Sequence, residues 1–161
     1  MRDIGDFIEG LKRTPVILSE FVKTVPVEKL DFQRGDGFWT IAEHVSHLAR
    51  VQPMLLDRFK RFINEDHPVF VPYIPGKDQP DTPGCMNMDD AFDQFTRYRG
   101  EQVKMLEGAN EKTWHKTATH PEYEQYSLYI LTRHVLMHDY WHMYRIEELW
   151  LTRDAYLTRL G

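Results

Sequence analysis

The 161-residue chain has a single cysteine, Cys85, so an internal disulfide and any metal site built on clustered thiolates are excluded. A lone thiol becomes a nucleophile only beside a placed base or cation, and Cys85 reads as an incidental loop residue. No run approaches the roughly 20 apolar residues that a membrane span needs. The opening MRDIGDFIEGLKR is charged and lacks the apolar stretch of a secretory signal. Blocks of Lys and Arg are missing too, and a formal net charge of -5 argues against a nucleic-acid partner. Strand signals are scarce, and no internal repeat, low-complexity tract or interdomain linker is visible. These absences leave one soluble, cytoplasmic domain over residues 1–161 as the expectation, with neither nucleic acid nor membrane as partner.

What is present is a globular composition, 42% hydrophobic and 28% charged, on a chain long enough to bury a core. Helical periodicity dominates it. Residues 3–24 predict a first helix with Ile4, Phe7, Ile8, Leu11, Ile17, Leu18 and Phe21 on its apolar face, kinked or divided at Pro15. VPVEKLDFQRGDG breaks the period. Thr40 with Glu43 three residues on has the form of a capping box, opening a second helix that runs to about Asn64 and bends at Pro53. The segment HPVFVPYIPGKDQPDTPGC holds five of the nine prolines and reads as a long irregular connection, of the kind used for lids or interface arms. A third helix follows from about Met88 to Ala109, then a second irregular link, NEKTWHKTATHPEYEQY. Ser127 is placed to cap a fourth helix that reaches about Trp150, and TRDAYLTRL adds a short terminal one. Four long amphipathic helices and two long connections give an all-α four-helix bundle with crossovers, a fold that builds metal and ligand sites from side chains facing its core.

Five of the eight histidines sit on two of these helices. In HVLMHDYWHMYRIEEL, His134, His138 and His142 follow one another at intervals of four, nearly the same face one turn on. Their neighbours Val135, Leu136, Met137, Tyr140, Trp141 and Ile146 are mostly apolar, and imidazoles buried in such company need a hydrogen-bond partner or a metal. On the second helix, WTIAEHVSHLAR carries His44 and His47. An i, i+4 pair plus one imidazole from a packed helix makes a three-nitrogen face with an open position, the arrangement of catalytic rather than structural sites. Spacing alone does not choose between His44 and His47, or give the role of His134.

Two familiar metal motifs fail. HDYWH has the spacing of the zinc protease motif H-E-x-x-H, but Asp139 replaces the Glu and no third ligand follows convincingly. The di-iron bundle pattern requires Glu-x-x-His on two helices, and Glu43 is followed at that distance by Ser46. Glu43 reads as a cap, with a general-base role as the alternative. For Asp139, a solvent-facing position or an interhelical salt bridge is favoured over orienting a ligand imidazole. Met54, Met105, Met137 and Met143 read as core filler. Tyr140, Trp141, Tyr144 and Trp150 read as core or subunit packing.

Trp39-Thr40, Glu43 and His47-Leu48, followed late in the chain by HDYWHMYRIEEL, resemble the DinB-like superfamily, and the link THPEYEQYSLYILTRHVLMHD is similar to that family's approach to its last metal-binding helix. The resemblance implies a four-helix bundle holding a divalent metal, zinc or nickel, on three histidines, often as a homodimer. Carried over residue by residue, it selects His47, His138 and His142 as ligands and leaves His44 and His134 as hydrogen-bonding or packing residues. It also implies a small-molecule substrate, with activities that include transfer of low-molecular-weight thiols to electrophiles and metal-dependent hydrolysis. A non-catalytic metal-binding or dimeric interaction module is the alternative.

Overall fold

The computed structural model describes residues 2–72 and 85–158. Its elements in chain order are α1 (Ile4–Lys23), α2 (Val27–Leu30), α3 (Ile41–Arg50), α4 (Gln52–Asn64), α5 (Met88–Glu107), α6 (Glu111–Trp114), β1 (Thr117–His120), β2 (Tyr123–Ser127) and α7 (Leu128–Leu151), then a 3-10 turn at Asp154–Tyr156. Helices α1, α5, α7 and the consecutive pair α3 and α4 form a four-helix bundle.

Side-chain caps set where these helices start. Thr40 Oγ1 accepts the Glu43 N–H at 3.1 Å while the Glu43 carboxylate accepts the Thr40 N–H at 2.6 Å, so the predicted capping box is formed. Ser127 Oγ accepts the Ile130 N–H at 3.2 Å and opens α7 where the sequence placed its cap. Asn87 does the same for α5. Gly37, at φ 81°, supplies the left-handed turn that leads the chain into Trp39 and Thr40, a conformation that a side chain there would strain.

Proline acts differently in the two helices that contain it. α1 is not divided at Pro15: it runs unbroken from Ile4 to Lys23. The Leu11 carbonyl, which loses its usual donor to the proline ring, has the Thr14 hydroxyl 3.2 Å away. Pro53 instead falls in the first turn of α4, where a missing N–H is harmless, and the expected bend becomes a boundary at Val51 between α3 and α4.

α1 packs on α5 and α7, and α3 packs on the same two helices, so α1 lies diagonally opposite α3 while α5 lies diagonally opposite α7. The crossovers are therefore the connections α1–α3 and α5–α7. The proline-rich segment joins neighbours, α4 and α5. Its lid reading falls largely on residues 73–84, outside the described residues.

The link before α7 is not wholly irregular, as the sequence had suggested. It holds α6 and an antiparallel hairpin, with Thr117 opposite Ser127, Ala118 opposite Tyr126 and His120 opposite Tyr123. Ala118 and His120 turn inward while Thr117 and Thr119 face out. The strands are only four and five residues long, too short for alternation to stand out, and Val69 bridges to Thr119 beside them. Where a terminal helix was expected, the described residues hold a 3-10 turn.

Two apolar clusters fill the bundle. One gathers Leu11, Phe59, Phe62, Phe70, Leu106, Trp114, Tyr126 and Leu131; the other gathers Leu18, Val45, Leu48, Phe95, Ile146 and Leu149. Phe59, Phe62 and Phe95 are almost fully buried, each stabilising the fold by roughly 1.5–3 kcal/mol through burial. Buried polar residues lie between the two clusters: Thr14 on α1, Gln52 at the start of α4, Arg99 and Gln102 on α5, Asp139 and His142 on α7. This polar waist is where the imidazoles lie. Met143 is core, as expected, whereas Met137 is 62% exposed. Tyr140, Trp141 and Tyr144 are also exposed rather than core, and Trp150 packs on Phe21.

Candidate metal centre

Within the waist, α3 presents His47 toward the same side of α7 that carries His138 and His142. His47 Nε2 lies 3.2 Å from His138 Nε2, which lies 3.2 Å from His142 Nε2. One nitrogen from each of the three residues falls within 4.8 Å of the others. Two imidazole nitrogens bound at about 2.0–2.1 Å to one tetrahedral ion stand about 3.3–3.4 Å apart, so the observed separations fit a shared divalent cation.

Electrostatics point the same way. Burial, with neighbouring imidazoles adding to it, pushes His138 down to about 3 and His142 well below the ordinary histidine range. Both rings are neutral near pH 7 and keep a lone pair to offer. Two carboxylates near the site are engaged elsewhere. Glu43 closes its capping box, which disfavours the general-base alternative. Asp139, on a different face of α7 from His138, accepts Arg99 Nη2 at 2.7 and 3.0 Å and the Thr14 hydroxyl at 2.8 Å. It is the interhelical salt bridge favoured by the sequence, and it is buried rather than solvent-facing.

His44 and His134 take distinct places around the three. His44 Nδ1 lies 2.8 Å from His142 Nδ1. If His142 Nε2 serves a metal, its proton is on Nδ1 and is donated to His44, whose own proton is then on Nε2. Burial and the Arg145 charge hold His44 down to about 4, which keeps it a neutral acceptor. His134 Nδ1 stands 3.2 Å from the Tyr123 hydroxyl. Trp39, itself partly exposed, packs against the cluster, its ring centroid 5.3 Å from His44, 5.1 Å from His47 and 6.0 Å from His142. His138 Nδ1 is buried without a protein partner.

A cavity of about 170 Å³ opens beside His47 and His138. Val51, Leu55 and Val135 form apolar parts of its wall, while Arg58, His120, Tyr123 and His134 bring polar groups to it. Sequence reasoning missed Arg58, His120 and Tyr123. They come from α4 and from the hairpin, and no spacing along the chain links them to the histidine helices.

Bundle, waist and imidazole cluster define a helical protein suited to hold a divalent ion. A model of the DinB superfamily matches residues 11–153, and the chain belongs to that superfamily. Among solved structures, it is similar to YfiT from Bacillus subtilis, described as a probable metal-dependent hydrolase with an unusual four-helix bundle topology. The two share 24% identity and superpose with a TM-score of 0.79 over 92% of this chain and 86% of YfiT, a likeness of fold. No curated protein matches the sequence. Among the described residues, no helix is long and apolar enough to cross a membrane.

Proposed function

We propose that the chain is a metal-dependent enzyme acting on a small electrophilic molecule, with His47, His138 and His142 as the ligands of a divalent ion, zinc or nickel. The observation that carries this reading is the meeting of three imidazoles, with His138 Nε2 at 3.2 Å from both His47 Nε2 and His142 Nε2, in a waist that opens on a cavity. A divalent ion held there supplies Lewis acidity, which lowers the pKa of a water or thiol nucleophile toward neutrality.

The chain's own residues do the rest. Neutral, desolvated rings at 138 and 142 do not exchange the ligand lone pair for a proton near pH 7. His44 fixes the tautomer and rotation of His142, and the Trp39 ring packs beside His44, His47 and His142. The Tyr123–His134 pair stands on the cavity wall, where the shared proton between phenol oxygen and Nδ1 can be delivered to a leaving group. Glu122, at an exposed position, is the one carboxylate among the residues lining this cavity. A nucleophile activated by the ion itself suits such a wall, and a thiol or a water would both meet that condition. The exposed Met137, Tyr140, Trp141 and Tyr144 suit the partner face of a homodimer.

Elemental analysis of untagged protein, paired with turnover assays, tests the reading. One equivalent of metal, lost in His138→Ala, together with metal-dependent consumption of an electrophile in the presence of thiol, is the expected result. Metal-dependent ester or amide cleavage without thiol would select hydrolysis instead. Bound metal with no turnover in either panel would leave a non-catalytic binding module.

A further inference from the structure

We infer that the cavity beside the three imidazoles takes a small organic anion, its carboxylate or phosphate group seated on Arg58 and the remainder of the molecule lying toward His47 and His138. The inference rests on the metal-enzyme reading for the chemistry at that end, and on the cavity alone for the anion. At about 170 Å³ the space is well below the roughly 300–1,000 Å³ of drug-sized sites, so the occupant is small.

Its polar wall is a set of donors. Arg58 is half-buried, packs against Phe70 at 5.6 Å, gives one N–H to the Val71 carbonyl at 3.1 Å and hydrogen-bonds the Tyr126 hydroxyl, which leaves further donors on the guanidinium. A guanidinium has five donors, and Arg58 takes part in none of the ion pairs among the described residues. Its charge is felt at His120, His134 and Tyr126, all on the same wall. Buried His120 accepts the Glu122 N–H on Nδ1 at 3.2 Å, which leaves its remaining proton on Nε2 as a further donor.

Each class of occupant meets this wall differently. A cation would face Arg58 with no buried carboxylate to offset it. An uncharged apolar molecule would strip water from Arg58 and His120 and return no acceptor, an unfavourable exchange. An anionic group is all acceptor and completes both, and with guanidinium the bond is charge-assisted. Glu122 is exposed, so its opposing charge is screened by solvent.

The test uses butyrate, the neutral isostere butyramide and inorganic phosphate as probes, on metal-free and zinc-loaded full-length protein. Calorimetry gives the affinities, and NMR follows the Arg58 Nε–H resonance. Butyrate or phosphate should bind both forms and shift that resonance, while butyramide leaves it unmoved. Arg58→Gln should weaken the anion by about tenfold or more and change butyramide by less than about twofold, with Arg58→Lys recovering part of the loss. Tighter butyrate indicates carboxylate substrates and tighter phosphate indicates phosphorylated ones; either supports the inference. Should Arg58→Gln fail to fold, the wild-type resonance decides the matter by itself. Anion binding that ignores Arg58, or that vanishes when metal is removed, overturns the inference and leaves the metal site standing. Arg58-dependent binding in a protein that takes up no zinc keeps the inference and removes the metal reading.

Discussion

Two buried polar clusters sit on α7 one residue apart, and they are finished in opposite ways. Asp139 turns toward Arg99 on the diagonally opposed α5 and toward Thr14 on α1, and the charges cancel in the middle of the bundle. Arg99 also lies over the Phe95 ring, 5.1 Å from its centroid. His138 and His142 turn toward α3 and meet His47, imidazole against imidazole. The first cluster is balanced inside the protein and joins three helices. The second leaves nitrogen lone pairs pointing at one another and at a cavity. A buried polar group closed by its own chain acts on the fold, and one left open to a guest acts on function.

Separating the two experimentally gives the largest expected effects. Asp139→Ala leaves the Arg99 guanidinium buried and uncompensated, and destabilisation of about 3–5 kcal/mol should appear in denaturant titrations. Asp139→Asn, which can still accept one hydrogen bond, should be milder. A loss under 1 kcal/mol for the alanine variant would mean the pair contributes little. His138→Ala should do the reverse. Zinc affinity measured by competition should fall by more than about 100-fold, beyond the 10–100-fold usual for supporting residues, while the metal-free protein unfolds at nearly the wild-type midpoint.

His44→Ala tests the boundary between the clusters and their surroundings. Losing the acceptor for His142 Nδ1 should weaken zinc by about 10–100-fold, and His44→Asn should restore part of it through its amide oxygen. Affinity unchanged in both variants would reduce His44 to packing.

pH should separate the clusters as well, in the metal-free protein. His44, His138 and His142 are held below their unfolded value of 6.5, so under that pH the unfolded chain binds more protons than the native one. Stability should fall from about pH 6.5 downward, until the native rings themselves protonate near 4 and 3 for His44 and His138. Asp139, raised to about 6 by burial against the pull of Arg99 and Thr14, gives the opposite slope over part of that window, and three imidazoles outweigh one carboxyl. A net loss of at least about 1.4 kcal/mol per pH unit between 6 and 4 is expected from urea midpoints. A flat profile would show that the rings are already protonated or exposed. Smallest of all, Thr40→Ala should cost about 1 kcal/mol by opening the capping box, with zinc affinity nearly unchanged.

How much of this was legible in the sequence follows from what local pattern can carry. The caps at Thr40 and Ser127 and the i, i+4 pair at His138 and His142 are written within a few residues, and the structure forms the caps and places the pair beside α3. His47 was indistinguishable from His44 by spacing, since one lies three residues from the other and both reach α7; only the family resemblance separated them. The Arg99–Asp139 bridge spans 40 residues and a bundle diagonal, and Arg58 and His120 meet across a hairpin too short to show alternation. Of the two outcomes expected at Pro15, a kink or a division, the helix shows no division, and Met137 is exposed because helical phase at the bundle's edge is set by neighbours absent from local sequence.

X-ray absorption at the metal edge of untagged, native-purified protein addresses the central claim most directly. Three imidazole nitrogens at about 2.0–2.1 Å, falling to two in His47→Ala, are the predicted first shell. A shell dominated by carboxylate oxygen, or one unchanged by His47→Ala, would contradict the account.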